Sequence, residues 1–209
     1  MVASRHHFLT ELHELLRPEV YFEIGVQYGD SLRLATHSKW AIGVDPSPLL
    51  TATGNQVIYA MRSDDYFNQE PVTEPVDLAF IDGDHHYEQA VRDFYNVQRR
   101  CQLDGIIVFD DVLPYTQEVG GREMVPGHWA GDVWRAEPVI RELQPGLTLV
   151  FVDVAPTGLL LVWGLDPEFD PGPLTLPMSP EPVPDHVIDR AYALDPGAAL
   201  ALVSNRGVR

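Results

Sequence analysis

The stretch Val76-Asp77-Leu78-Ala79-Phe80-Ile81-Asp82-Gly83-Asp84-His85-His86-Tyr87-Glu88 decides the fold. It opens as an apolar run with the length and character of a strand buried on both faces. It then stops abruptly in acid. The residues that follow place Tyr87, Ala90, Val91, Phe94 and Val97 on one side of a helix. A second run of the same kind, Ile106-Ile107-Val108-Phe109-Asp110-Asp111, comes next. Strand, acid, helix, strand and acid again is the pattern of a parallel sheet with crossover helices.

Working outward, the same alternation covers most of the chain. Residues 4–17 carry Phe8, Leu9, Leu12, Leu15 and Leu16 on one helical face, and Pro18 ends the pattern. Strands are expected at 20–26, 40–44 and 57–61, and again at 105–109, with a turn at Gly25 to Gly29 leading into a helix. Residues 113–130 form a long Gly- and Pro-containing loop, as expected of a lid or substrate loop. A helix over 131–143 follows, with Asp132 as its N-cap. Two strands, 147–154 and 158–163, are joined only by Ala155-Pro156-Thr157. That link is too short for a crossover helix, so the pair is an antiparallel hairpin. The reading is an α/β, doubly wound, Rossmann-like sheet, mostly parallel with an antiparallel last strand, over residues 1–165. Residues 166–209 are a C-terminal extension holding 8 of the 18 prolines. Its run from Pro177 to Pro184 excludes helix and inner strand, so it is expected to wrap over the domain or a partner subunit, with one short helix near 185–194. A homodimer would give that tail something to lie against.

Composition excludes several function classes. The 209 residues suffice for one α/β domain, and 45% hydrophobic with 22% charged residues fits a globular protein. A formal charge of −17 repels phosphate backbones, which argues against nucleic acid as a partner. The single cysteine, Cys101, permits no intrachain disulfide and suits a reducing compartment. Arg5, His6, His7 and Glu11 interrupt any signal-like core, and the most apolar stretch contains Asp153 and Pro156, so no membrane segment is expected. A cytoplasmic location is the expectation.

The acids carry the chemistry. Like charges about 4 Å apart at an effective dielectric of roughly 20 repel by around 4 kcal/mol. Asp82, Asp110 and Asp111 at neighbouring strand ends therefore call for a cation, and hard oxygen ligands suit Mg²⁺ or a relative. Paired acids are often a solvated turn, but not directly after two buried runs. Glu23-Ile24-Gly25-Val26-Gln27-Tyr28-Gly29 sits where the first strand turns, and its glycines let backbone approach a ligand. Gln27 stands where a dinucleotide fingerprint needs glycine. Asp45, 20 residues beyond Gly25, is spaced to accept hydrogen bonds from ribose hydroxyls. A plain tight turn and a solvated Asp are the bland alternative; together the two features favour a nucleoside-type ligand. His85 can accept a hydroxyl proton at neutral pH. Asp84 is better read as a cap on the following helix, with His86 a solvated first-turn residue.

These motifs, Glu23-x-Gly25-x-x-x-Gly29, Gly43-Val44-Asp45, Ile81-Asp82-Gly83-Asp84-His85 and Phe109-Asp110-Asp111, resemble those of class I S-adenosylmethionine-dependent methyltransferases. In particular the chain looks like the metal-dependent O-methyltransferases that act on sugars of macrolide and aminocoumarin antibiotics. The resemblance covers residues 20–165 and implies a seven-stranded sheet with an antiparallel last strand. It implies that Glu23 and Gly25, with Gly29 closing the turn, lie at the methionine end of S-adenosylmethionine, that Asp45 binds the ribose, and that Ser63 and Asp64 sit beside the adenine. It also implies that Asp82, Asp110 and Asp111 are ligands of Mg²⁺ or another divalent cation, with Asp82 next to the cofactor, and that His85 is the base. The acceptor would be a small-molecule hydroxyl, a sugar or glycoside first and a phenol or catechol second. Two rivals need different readings. A nucleotide-sugar glycosyltransferase would use Asp82-Gly83-Asp84 as a metal-diphosphate motif but leaves the glycine turn and Asp45 without a use. A non-catalytic binding subunit leaves the three acids and His85 without one.

Overall fold

The computed structural model describes residues 4–69 and 74–206. Seven strands form one sheet: β1 (Val20–Ile24), β2 (Trp40–Asp45), β3 (Gln56–Ala60), β4 (Val76–Ile81), β5 (Cys101–Asp110), β6 (Thr148–Val152) and β7 (Leu159–Trp163), in the order β3-β2-β1-β4-β5-β7-β6. The first five are parallel, and β7 runs antiparallel to both β5 and β6. The hairpin expected from the three-residue link is present, and the strand inserted between β5 and β6 is its second arm.

The alternation along each strand divides the core in two. Val20, Phe22, Ile24, Ile81, Ile107 and Phe109 face the layer containing α2 (Ser63–Gln69), α3 (Tyr87–Gln98) and α4 (Ala136–Leu143). Tyr21, Leu78, Phe80, Ile106 and Val108 face the opposite layer, where α1 (Arg5–Leu16) contributes Phe8, Leu9 and Leu12 and α6 (Pro196–Ser204) contributes Ala199 and Val203. Period-2 strands filled on both faces need helices on both sides, and the chain supplies them. No helix among the described residues is long and apolar enough to cross a membrane.

Three local expectations are corrected. No α-helix follows the Gly25–Gly29 turn; the segment makes only a 3₁₀ turn at Leu32–Leu34. Ser31, the residue placed to cap a helix there, instead donates its hydroxyl to Glu23 Oε1 (2.7 Å). The helix expected over 131–143 is a 3₁₀ turn, Val133–Arg135, followed by α4, and Asp132 does not cap it. The tail holds two helices: α5 (Asp185–Asp189) and α6, which begins at Pro196 after Asp195 takes the Ala198 N–H (3.1 Å).

The tail lies on its own chain. Tyr87 donates to the Pro177 carbonyl (2.6 Å) and Arg135 to that of Ser179 (2.8 Å). Gln117 and Val183 exchange two hydrogen bonds of 2.7 and 2.9 Å, which ties the 113–130 loop to the tail. Arg190 donates to the carbonyls of Leu113 and Pro156 and pairs with Asp153 (3.0 Å).

Candidate active site

Strand register builds the site. Ile24 pairs with Val44 on one side and with Ile81 on the other, and Ile81 pairs with Phe109. The residues next in line, Gly25, Asp45, Asp82 and Asp110, are therefore neighbours along one edge, Asp45 and Asp110 as the last residues of their strands. After β1 the chain runs outward to β2 and β3, then returns to place β4 on the other side of β1. That reversal opens a crevice at the carboxyl ends of β1 and β4, where ligands bind in open α/β sheets. A cavity of about 960 Å³ lies there.

Gly25 makes the crevice narrow at its base. Its φ is +88°, and an added Cβ would lie 1.7 Å from the carbonyl oxygen of Asp82. The turn then passes Gln27, which holds φ +43° in the left-handed region although it carries a side chain. Asp45 stabilises that turn: Oδ2 accepts the Gln27 N–H (2.8 Å) and Oδ1 the Ser47 N–H (2.6 Å). A carboxylate has about four acceptor positions, so each oxygen retains capacity for a further donor from the cavity. Gly29 and Glu23 do not line the cavity. Gly29 closes the turn against Leu50, whose Cδ1 lies 2.3 Å from where a Cβ would stand. Glu23 is fully buried beneath the turn, accepting hydroxyl hydrogens from Tyr21 and Ser31 (2.7 Å each). Burial pushes its carboxyl up to about 8, against the pull of those two donors. Ser63 and Asp64 do line the cavity, and Gln89 holds both from α3 (3.2 Å each) while donating to buried Asp93 (2.9 Å).

The acidic edge is shared between the cluster of Asp82, His85 and Asp111 and the guanidinium of Arg5. Asp82, His85 and Asp111 each present a ligand atom within 4.8 Å of the others. Asp110 is not in that cluster: its Oδ1 accepts the Asp111 N–H (2.9 Å) and its Oδ2 pairs with the guanidinium of Arg5. The same Arg5 nitrogen lies 3.3 Å from Asp82 Oδ2. Burial, and then the charge of Asp111, push the Asp82 carboxyl upward, while Arg5 and His85 pull it down. Asp111 sits at φ +63°, an uncommon place for a residue with a side chain, and Thr157 donates to its Oδ1 (2.6 Å).

His85 is oriented by the loop before α4. Its Nδ1 is 2.6 Å from the Trp129 carbonyl oxygen, which can only accept, so Nδ1 carries the hydrogen. Nε2 then faces Asp111 Oδ2 at 3.3 Å and Asp82 Oδ1 at 3.8 Å. A lone pair facing carboxylate oxygens calls for a proton between them, and the two carboxylates, gathered within 4.8 Å, suit a divalent ion beside the imidazole. Asp84 does not cap α3 with its side chain; it contacts His86 Nδ1 (2.5 Å), while Asp132 Oδ1 takes the Tyr87 N–H (3.0 Å) from across the fold. Arg5, Trp129 and Thr157 were not singled out as site residues by sequence. Arg5 reads locally as one charge on an amphipathic helix, and only the packing of α1 brings it to the acids.

A seven-stranded sheet in this order, mostly parallel and antiparallel at its last strands, is a Rossmann-like methyltransferase fold. Residues 22–112 match the family model described as a methyltransferase domain. Cofactor-bound Rv0187 from MTB is similar at 19% identity, covering 76% of this chain and 78% of its own, with a TM-score of 0.61. The O-methyltransferase TomG from Streptomyces achromogenes, involved in tomaymycin synthesis and solved with SAM, is similar at 17%, with 76% and 78% coverage and a TM-score of 0.59. The N-methyltransferase NodS from Bradyrhizobium japonicum WM9 is 23% identical over 76% of this chain and 92% of its own, at 0.50. Those likenesses establish the fold; the acceptor atom differs among them. No curated protein matches the chain.

Proposed function

We propose that the protein is an S-adenosylmethionine-dependent O-methyltransferase acting on a hydroxyl of a small molecule. The observation that carries this is the convergence, at one crevice, of the Gly25 turn, Asp45 and the His85 Nε2 aimed at two carboxylates. The turn and Asp45 would hold the donor's amino-acid and ribose ends, with Ser63 and Asp64 beside the adenine. His85 would take the acceptor's hydroxyl proton at Nε2. The oxygen then forms its bond to the methyl carbon as the methyl–sulfur bond breaks, leaving S-adenosylhomocysteine. Holding donor and acceptor in register can supply roughly 7–11 kcal/mol of the barrier.

We further propose a divalent cation, with Mg²⁺ the expected ion, held by Asp82 and Asp111 and joined by Asp110 once Arg5 gives way. When bound, such an ion polarises an acceptor hydroxyl and lowers its pKa. The acidic pair beside His85 supports this reading. A sugar or glycoside acceptor is supported by Trp129 on the cavity wall, since an indole offers an apolar face on which a sugar ring can stack. Residues 1–165 are the proposed catalytic unit, with the tail bracing its loop, in a cytoplasmic enzyme whose dimerisation sedimentation would test. Calorimetry tests the donor assignment: S-adenosylhomocysteine should bind and UDP and GDP should not. Binding of UDP in its place would move the protein to sugar transfer. Turnover that survives EDTA unchanged would remove the ion from the scheme.

A further inference from the structure

We propose that Trp129 is a positioning residue for His85, fixing the imidazole in the form that leaves Nε2 toward Asp82 and Asp111. The inference rests on the reading of His85 as the base. Trp129 makes two contacts with that ring. The Trp129 carbonyl takes the Nδ1 hydrogen at 2.6 Å, and the indole lies nearly parallel to the imidazole, 23° apart with centroids at 5.1 Å. The backbone of His85 is held by the same loop: Asp132 N–H donates to the His85 carbonyl (3.2 Å), and Gly131, at φ +61°, leaves no room for a Cβ, which would lie 1.8 Å from that carbonyl oxygen. The hydrogen bond at one ring nitrogen sets what the other can do. A carbonyl at Nδ1 forces the hydrogen there and leaves the Nε2 lone pair to accept a proton.

The indole is anchored in turn. Its Nε1 donates to the Gly121 carbonyl (2.8 Å), which closes residues 121–129 into a loop that ends on His85. Trp134 fixes the same loop from α4's side through the Gly120 carbonyl (3.0 Å). Because the loop between β5 and α4 also walls the cavity, its seating and the orientation of His85 are one event.

The test is nitrogen-15 NMR of histidine-labelled protein, with the His85 signal assigned by its loss in His85→Gln. The expected spectrum has hydrogen on Nδ1 in the wild type and in Trp129→Phe, which keeps a ring stacked on the imidazole although it gives up the bond to Gly121. Trp129→Ala keeps the backbone carbonyl but loses both the stacked ring and its tie to Gly121. The loop then no longer seats that carbonyl, and the Nδ1 hydrogen should no longer be fixed, while the other histidines keep their shifts and report an intact fold. In the methyl-transfer assay Trp129→Ala should lower kcat by about 10- to 100-fold, part of the roughly 10²–10⁴ a positioned base contributes, with S-adenosylhomocysteine affinity unchanged. A wild-type His85 with a bare Nδ1, or an Nδ1 hydrogen equally fixed in Trp129→Ala, overturns the proposal. Fixed Nδ1 hydrogen together with a fully active His85→Gln would instead overturn the base assignment and leave the positioning intact.

Discussion

Replacing Gly25 by Ala should do two separable kinds of damage. At φ +88° a side-chain-bearing residue costs about 1–2 kcal/mol. The new Cβ would also stand 1.7 Å from the Asp82 oxygen and 2.4 Å from its carbonyl carbon. Both are backbone atoms of the adjacent strand end and cannot rotate aside, so β1 and β4 must part where Asp82 N–H meets the Ile24 carbonyl (2.9 Å). Overpacking of that kind costs about 1–3 kcal/mol, and a lost hydrogen bond about 1 more. The total, roughly 3–6 kcal/mol, is a large share of the 5–15 kcal/mol typical of a domain. Gly54→Ala is the control, because Gly54 has φ +60° with nothing within 4 Å of its missing Cβ. It should cost only about 1–2 kcal/mol. Urea unfolding of the two variants, at equal slopes, isolates the contact. Calorimetry should show S-adenosylhomocysteine binding lost in Gly25→Ala and retained in Gly54→Ala. Equal losses of stability with equal affinities would refute the account of the crevice.

Other expectations follow from single residues. Asp93 is 1% exposed, and burial pushes its carboxyl up to about 7. A raised acid penalises the fold above its ordinary pKa, so the penalty grows from about pH 4 to 7 and then levels near 4 kcal/mol. The stability of Asp93→Asn relative to wild type should therefore rise across that window; a flat difference in urea melts would contradict the assignment. Asp45→Asn gives up one acceptor oxygen of the pair holding the turn, and should weaken S-adenosylhomocysteine binding about 10- to 100-fold, as expected for a charged hydrogen bond of 1.5–3 kcal/mol. Arg5→Met removes the guanidinium from Asp82 and Asp110 and should tighten Mn²⁺ binding by about tenfold or more, read by electron paramagnetic resonance. Unchanged affinity would mean that Arg5 and the ion do not share those carboxylates.

The sheet was legible because strands buried on both faces read as short continuous apolar runs and three residues cannot carry a crossover. Asp82 and Asp110 could be placed at one edge for the same reason: each follows a buried run directly. What followed the glycine turn was not legible. A helix and a 3₁₀ turn both begin after such a turn, and the choice lay in Ser31 turning inward to Glu23, a contact made eight residues back in sequence. The role of Asp132 was hidden likewise, since it caps α3 across 45 residues and not the helix it precedes. Arg5 reaches acids 77 and 105 positions away, which no local pattern encodes. The start of α6 was available, because Asp195-Pro196 is an N-cap followed by a first-turn proline. It was obscured by the proline run before it.

The central claim is that an acceptor oxygen takes a methyl group beside His85. The direct measurement is transfer from methyl-labelled S-adenosylmethionine to a panel of sugars, glycosides and phenols, with the product's new bond identified by NMR. The account predicts a methyl ether on a hydroxyl oxygen, formed with Mg²⁺ present and reduced about 10²- to 10⁴-fold in His85→Gln. Label recovered on nitrogen, or an ether formed at an undiminished rate without His85, would contradict it.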